Sequence, residues 1–321
     1  MGDMHATEKI WMNGELVDWE DATVHVGVHG LHYGSGVFEG IRAYETPKGT
    51  AVFRLSDHLE RLHTSARLIR MTIPYSVEEL RDASLELIAV NRLPACYLRP
   101  IAFYGYGTLG VPPRDNPVYV ALMSWPWGAY LGDEALSKGV RVKISTWTRM
   151  PSRVIPHAAK ATGLYLNSML AVQEAALGGY EEAILLTENG CIADCSGENV
   201  FIVKDGVLYT PSLETGILHG ITRDSVITIA RELGYEVREE NLIRSDLYAA
   251  DEMFMTGTAA EVTPVREVDD YLIGDPGPVT LALQKTYLDV VQGRDERWSN
   301  WLEYVPAGRA SAGEVASQAS S

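Results

Sequence analysis

The sequence predicts an α+β fold in two domains. Two-residue turn signals between short apolar runs recur three times, and each marks an antiparallel hairpin. Helical periodicity falls in blocks between these hairpins, without strict strand-helix alternation. A length of 321 residues also exceeds what one hydrophobic core usually organises. The expected division is a smaller N-terminal domain over 1–127, a connecting loop over 128–138 and a larger domain over 139–305. Residues 306–321, rich in Ala, Ser and Gly without apolar period, are expected to be a disordered tail.

In chain order, Glu8–Met12 and Glu15–Trp19 flank Asn13-Gly14, a pair suited to a type I′ turn. A helix follows Asp57, which stands three residues before Glu60 at capping-box spacing, with Leu59, Leu62, Ala66 and Ile69 forming one stripe. A second helix covers about Val77 to Val90. The stretch Trp125-Pro-Trp-Gly-Ala-Tyr-Leu-Gly132, dense in breakers and aromatics, places the interdomain connection. A third helix runs from about Leu164 to Leu177 and stops at Gly178-Gly179. The second hairpin joins Ala183–Thr187 to Cys191–Ala193 around Asn189-Gly190, and the third joins Val200–Val203 to Val207–Thr210 around Asp205-Gly206. Helices over Thr222–Leu233 and near Val279–Val291 complete the pattern.

Composition excludes several classes. A net charge of −16 gives no basic footprint for nucleic acid. No apolar run approaches the ~20 residues of a membrane span. The N-terminus has no basic region followed by an apolar one, so the expected location is the cytoplasm. Cys96, Cys191 and Cys195 are odd in number and form no disulfide framework; reduced thiols are expected, and no metal site.

Lys160 draws attention because three alanines and a glycine stand within three residues of it, in Pro156-His-Ala-Ala-Lys160-Ala-Thr-Gly. Small neighbours let a flat group approach, and an amine that loses its solvent there can act as a nucleophile. An aldehyde cofactor bearing a phosphate would need such an amine, donors for a dianion and an acid facing a pyridine nitrogen. The turn Leu218-His-Gly-Ile221-Thr222-Arg leads straight into a helix, whose free N–H groups and Thr222 hydroxyl suit an anion. Gly257-Thr258-Ala259-Ala-Glu follows a strand and lets backbone amides approach a ligand. Arg61 borders an apolar helix stripe, and Asp194 and Glu198 share one loop between hairpins. Taken singly, each has an ordinary reading: a surface lysine or arginine, an N-cap, a tight turn, a loop carboxylate.

Their order along the chain resembles the class IV aminotransferases of pyridoxal phosphate fold type IV, most closely the bacterial branched-chain type. The stretches that carry the resemblance are His32–Arg42, His58–His63, Tyr97–Pro100, Trp127–Tyr130, Ala158–Lys160, Gly220–Asp224 and Gly257–Val265. The resemblance spans about Ile10 to Val305. It implies that Lys160 is the Schiff-base lysine and general base, and that 139–305 holds pyridoxal 5′-phosphate. Arg61, Leu218, Ile221, Thr222 and Thr258 match the phosphate turns, and Tyr165 a tyrosine near the cofactor's phenolic oxygen. Tyr97, with the backbone of Thr258 and Ala259, matches the holder of the substrate α-carboxylate, and Arg99 lies beside it as a donor for glutamate. Tyr33, Phe38, Arg42 and Trp127 match the pocket. Leu109 and Val111 match a loop that reaches a neighbouring subunit, so at least a homodimer is implied.

The chain departs from the family at Asp194, where glutamate is usual. Aspartate is shorter by one methylene, roughly 1.5 Å of reach, and either Asp194 or Glu198 could face the ring. The implied reaction exchanges the amino group of Leu, Ile or Val with 2-oxoglutarate, giving branched 2-oxo acids and L-glutamate. The partners are then small amino donors and 2-oxo acids, with no nucleic acid and no membrane. A D-amino-acid or (R)-amine aminotransferase, an aminodeoxychorismate lyase or a silent binding protein on the same scaffold are the alternatives.

Overall fold

The computed structural model describes residues 4–128 and 133–306. The first part of the chain forms β1 (Lys9–Met12), β2 (Glu15–Asp18), α1 (His29–Tyr33), β3 (Gly36–Phe38), β4 (Ile41–Thr46), β5 (Gly49–Phe53), α2 (Leu55–Leu68), α3 (Val77–Val90), β6 (Cys96–Tyr104) and β7 (Val118–Trp125). The second part opens with α4 (Asp133–Lys138), β8 (Val140–Thr148), α5 (Tyr165–Leu177), β9 (Glu182–Leu186), β10 (Ile192–Cys195), β11 (Asn199–Lys204) and β12 (Val207–Thr210). It continues with α6 (Ile221–Glu232), β13 (Val237–Glu239), α7 (Arg244–Tyr248), β14 (Glu252–Gly257), β15 (Glu261–Val268), β16 (Tyr271–Leu272), α8 (Pro278–Val291) and β17 (Leu302–Tyr304).

These strands make two mixed or antiparallel sheets, and the α+β reading holds. One runs β17-β5-β4-β6-β7-β1-β2 with β3 beside β6; the other runs β10-β9-β8-β15-β14-β11-β12-β13 with β16 beside β15. The last strand thus returns to the first sheet, pairing Leu302–Tyr304 with Phe53–Ala51. Its Leu302 packs with Phe53, Phe201, Phe254, Val226 and Tyr287 in a core shared by strands of both sheets. A second core seats Leu59, Leu62 and Ala66 of α2 and Leu80 and Leu87 of α3 against Ile41, Leu98 and Val120.

All three hairpins form. Asn13 and Asp205 take φ near +50 with a glycine following at positive φ, as a type I′ turn requires. The Asn189-Gly190 hairpin differs: the Gly190 N–H closes on Thr187 O and only Gly190 is left-handed, so the loop is longer than two residues. The start of α2 is also corrected. The helix opens at Leu55 with Arg54 in the left-handed region, and no Asp57–Glu60 capping box forms. Asp57 is taken by the Arg54 Nε–H (2.6 Å), because that guanidinium reaches across to Asp224 and Ser225 of α6. The capping box belongs to α3, through Ser76 and Glu79. Within the expected 128–138 connection, Asp133–Lys138 is helical, and 129–132, including the second half of the Trp127–Tyr130 stretch, lies outside the described residues, as do 307–321 of the expected tail.

The arrangement that places the site is the β8-α5-β9 unit. The two strands are parallel, so the chain must cross over through α5. Residues 149–164, carrying Lys160, form the link from the carboxyl end of β8 to the start of α5.

Candidate active site

Lys160 is half-buried, and backbone contacts on both sides fix it. Its N–H donates to Ser65 Oγ of α2 (3.0 Å), and its carbonyl accepts from the Phe38 N–H (3.1 Å). The amine donates to the Tyr165 hydroxyl at 2.8 Å and lies over the Phe38 ring at 5.1 Å. It opens into a cleft lined by Tyr165, Asp194 and Leu218 together with Arg149, His157, Ser168, Glu198 and Asn199. Five residues singled out from the sequence, Lys160, Tyr165, Asp194, Glu198 and Leu218, therefore share one cleft.

Arg61 stands where α2 meets the turn before α6. Its Nε and Nη2 both donate to Glu39 (2.7 Å each), and its Nη1 donates to His219 O at 2.8 Å. Glu39 is fully buried and also accepts from His58 Nδ1 (2.8 Å). Burial opposes its charge, but Arg61 and then His58 more than offset this and hold the carboxyl well below its usual range. Burial likewise lowers His58, so a neutral ring donates to Glu39. The guanidinium is locked beside Leu218-His219-Gly220. Helix α6 begins there at Gly220 with no side-chain cap, which leaves its first N–H groups free for an anion. Thr222 is buried and shares a side-chain hydrogen bond with Tyr287 of α8.

The turn Thr258-Ala259-Ala260 connects β14 to β15, whose Gly257 and Glu261 face each other. A Cβ at Gly257 would sit 3.1 Å from Glu198 Cγ, so the turn lies against the Glu198 loop. Glu261 at φ 56 accepts from the Tyr44 hydroxyl (2.9 Å) and pairs with Arg42 at 3.3 Å. Arg42 is thus tied to this loop's far end, and its Nη1 is buried without a hydrogen-bond partner.

Tyr97 is buried between Trp125 and Trp127, with ring centroids 5.2 and 5.0 Å away. Arg99 lies 4.8 Å over the Phe38 ring with its buried Nε unpartnered. A Cβ at Gly40 would overlap the Tyr97 hydroxyl and stand 2.8 Å from its Cζ. The flanking tryptophans deny the ring an easy retreat. Gly40→Ala is expected to cost about 1–3 kcal/mol of folding stability by overpacking, read as a lower urea midpoint with unchanged slope. A midpoint equal to that of the parent would show that Tyr97 is not held there.

Tyr33, Leu109 and Val111 do not line the cleft. The Tyr33 hydroxyl donates to Leu109 O (2.8 Å), the His29 ring bonds Gly110 O (3.0 Å), and Leu109 and Val111 are left exposed.

Sequence reasoning did not single out Glu39, His58, His157 or Arg149 as site residues. Glu39 and His58 sit inside the recognised stretches, and an acid three residues before Arg42 was the available signal. His157, close to Lys160, is buried against the Met150 carbonyl. Burial, with Arg149 nearby, pulls its imidazole down to about 4, so at neutral pH its Nε2–H donates to that carbonyl. Arg149 had no local signal. It is buried, and its Nε donates to Asp194 Oδ1 at 2.7 Å. Burial raises both Asp194 and Glu198; Arg149 opposes the rise at Asp194, whereas Glu182 adds to it at Glu198.

A lysine amine beside a phenol and a buried carboxylate in one cleft, with an uncapped helix start and a locked arginine just beyond its Leu218 wall, are the parts expected of a phosphate-bearing aldehyde site. The model of the class IV amino-transferases matches residues 36–268. The chain belongs to the class IV aminotransferases. It is 50% identical over 298 residues to a Pseudomonas aeruginosa protein named branched-chain-amino-acid aminotransferase, covering 92% of this chain and 97% of the relative. The Escherichia coli K12 protein of that name is 49% identical over 299 residues, with the same coverage. Among solved structures, the Escherichia coli branched-chain amino acid aminotransferase superposes with a TM-score of 0.91 at 49% identity, covering 93% of this chain and 99% of that one. The T.th. enzyme of that name, with pyridoxamine 5′-phosphate, gives 0.90 at 51% identity over the same shares. In this class IV aminotransferase the cysteines are free. Among the described residues no helix is long and apolar enough to cross a membrane.

Proposed function

We propose that this chain catalyses pyridoxal phosphate-dependent transamination between branched-chain L-amino acids and 2-oxoglutarate, with Lys160 as nucleophile and general base. The observation that carries the reading is the Lys160 amine, 2.8 Å from the Tyr165 hydroxyl, in the same cleft as Asp194. The residues present fit the cofactor. Arg61, the uncapped N–H groups of Ile221 and Thr222, and the Thr222 and Thr258 hydroxyls suit a phosphate; Tyr165 suits a phenolic oxygen; Asp194 suits a pyridinium. When bound, pyridoxal phosphate supplies an aldehyde and a ring that draws electron density from the substrate Cα.

The chain's own residues do the rest. The Lys160 amine would hold the cofactor's aldehyde end and, with the substrate amine in that place, would stand as the base that moves the proton at Cα. Tyr165 steadies that amine by its hydrogen bond. Asp194 is the better ring partner of the two acids, because Arg149 contacts it directly, whereas the Glu198 side chain accepts the neighbouring Gly197 N–H (3.2 Å). Tyr97 and the backbone of Thr258 and Ala259 hold the α-carboxylate, while Phe38 and Trp127 offer apolar surface to a branched side chain. Arg99 holds a free buried donor for the second carboxylate of glutamate.

A homodimer completes the reading. Val26, Leu31, Tyr33, Tyr106, Leu109 and Val111 are all exposed around the pinned 107–112 loop. Clustered apolar exposure of this kind favours association.

Cofactor spectra recorded on adding L-leucine, L-isoleucine, L-valine, D-amino acids and (R)-amines separately test the substrate class. Conversion by the branched L-acids, reversed by 2-oxoglutarate, is expected. Conversion only by D-acids or (R)-amines would replace this reading with its nearest alternative.

A further inference from the structure

Three buried carboxyl groups lie close together: Asp194 and Glu198 line the cleft, and Glu182 is near enough to act on Glu198. Glu182 Oε1 accepts from the N–H groups of Ala183 (2.6 Å) and Ser196 (3.2 Å), while its Oε2 is buried without a partner. One cation reaches directly into this group among the described residues, and it is spent on Asp194 alone. The Arg149 guanidinium uses all three nitrogens. Nε meets Asp194 Oδ1 at 2.7 Å and Nη2 meets the same oxygen at 2.5 Å; Nη1 donates to Ser168 Oγ of α5 (3.1 Å) and Nη2 to Cys195 O of β10 (2.6 Å). Its own backbone N–H is anchored on Leu186 O of β9 (2.8 Å).

We infer that Arg149 is a positioning residue: it braces the short Asp194 carboxylate from behind and aims its remaining lone pairs into the cleft. This rests on the transamination reading and deepens it at the ring-nitrogen end. A carboxylate offers about four lone-pair sites. The guanidinium and the Leu218 N–H occupy three at most, so one is left to face a pyridinium. A planar fork fixes direction as well as charge, which a lysine at this point would not. Charge follows geometry. Glu182 and Glu198 have no cation in contact, and burial favours their protonated forms. Burial raises Asp194 as well, but it alone of the three has a cation in contact to oppose that rise, so Arg149 favours the negative charge on Asp194, although it is one methylene short of the family's usual glutamate.

The test uses Arg149→Gln and Arg149→Lys enzyme reconstituted with pyridoxal phosphate labelled with 15N in the ring. Three quantities are read: the ring 15N shift, the rate of cofactor loss on dialysis, and borohydride trapping of cofactor on Lys160. Both variants should still trap on Lys160. Arg149→Gln should move the ring signal toward neutral pyridine and lose cofactor about tenfold faster or more. Arg149→Lys should keep a protonated ring while losing cofactor several-fold faster, since it keeps charge without the fork. A wild-type ring signal and wild-type retention in Arg149→Gln would overturn the inference. If that variant does not fold, unchanged retention in Arg149→Lys overturns it instead. Absence of trapping on Lys160 in the parent enzyme would strike the transamination reading itself, not the role of Arg149 within it.

Discussion

Lys160→Ala should lower the transamination rate by about 10²–10⁴-fold, the usual share of a positioned general base, with a further loss from removing the nucleophile. Folding should be nearly unaffected. The amine makes one hydrogen bond, to Tyr165, while the backbone bonds to Ser65 and Phe38 that shape the loop survive the substitution. Steady-state rates with L-leucine and 2-oxoglutarate, set against thermal unfolding of the same protein, separate the two effects. A variant that keeps more than a tenth of the parent rate at unchanged stability would remove Lys160 from the chemistry.

Glu39→Ala should cost about 3–5 kcal/mol of stability, the range for breaking a buried ion pair from one side. Glu39 is fully buried, and its loss strands Arg61, two of whose three nitrogens bond to it. Cofactor affinity should fall as well, because Arg61 would no longer be fixed beside the start of α6. Denaturant melts with and without added pyridoxal phosphate check both parts. A stability within 1 kcal/mol of the parent's would contradict the pairing. The same carboxylate sets a pH dependence. Its folded pKa lies well below its unfolded value, so its contribution is complete above the ordinary carboxylate range, begins to fade there, and is lost only as pH falls on through the lower folded value. His58 and His157 act in the same direction and earlier. Both are lowered by burial, so stability should begin to fall once pH drops below about 6.5, the unperturbed histidine value. Asp194, Glu182 and Glu198, which burial raises, act in the opposite sense, so the histidine share is read as the difference in denaturant midpoint between the parent and His157→Gln, and that difference should shrink from pH 7 toward pH 4.

Local chemistry made much of the fold legible. Asn13-Gly14 and Asp205-Gly206 announce type I′ hairpins because only such pairs tolerate two left-handed residues in succession. The stripe Leu59, Leu62, Ala66 announces α2 because its period is that of a helix face. The start of α2 was not legible: Arg54 adopts a left-handed turn in order to reach residues of α6, some 170 positions away. The return of Leu302–Tyr304 to the first sheet is equally non-local.

The candidate site divides along the same line. Lys160, the Gly220-Ile-Thr turn and the Thr258 turn are short stretches whose small residues speak for themselves. Arg149 lies 45 residues before Asp194, and nothing in its own neighbourhood marks it. Sequence could pair Asp194 with Glu198 as alternatives, but it could not show that the cation stands against only one of them. Glu39 was in view inside a recognised stretch, yet its worth lies in a side-chain pair made across 22 residues.

The most direct measurement maps where the protein holds its cofactor. The enzyme is loaded with pyridoxal phosphate, reduced with borohydride, digested and sequenced by mass spectrometry, once alone and once after L-leucine. Without the amino acid, the phosphopyridoxyl mass should fall on Lys160 alone. With L-leucine added first, that mark should disappear from Lys160. A mark on another lysine, on none, or one that L-leucine does not remove would contradict the account.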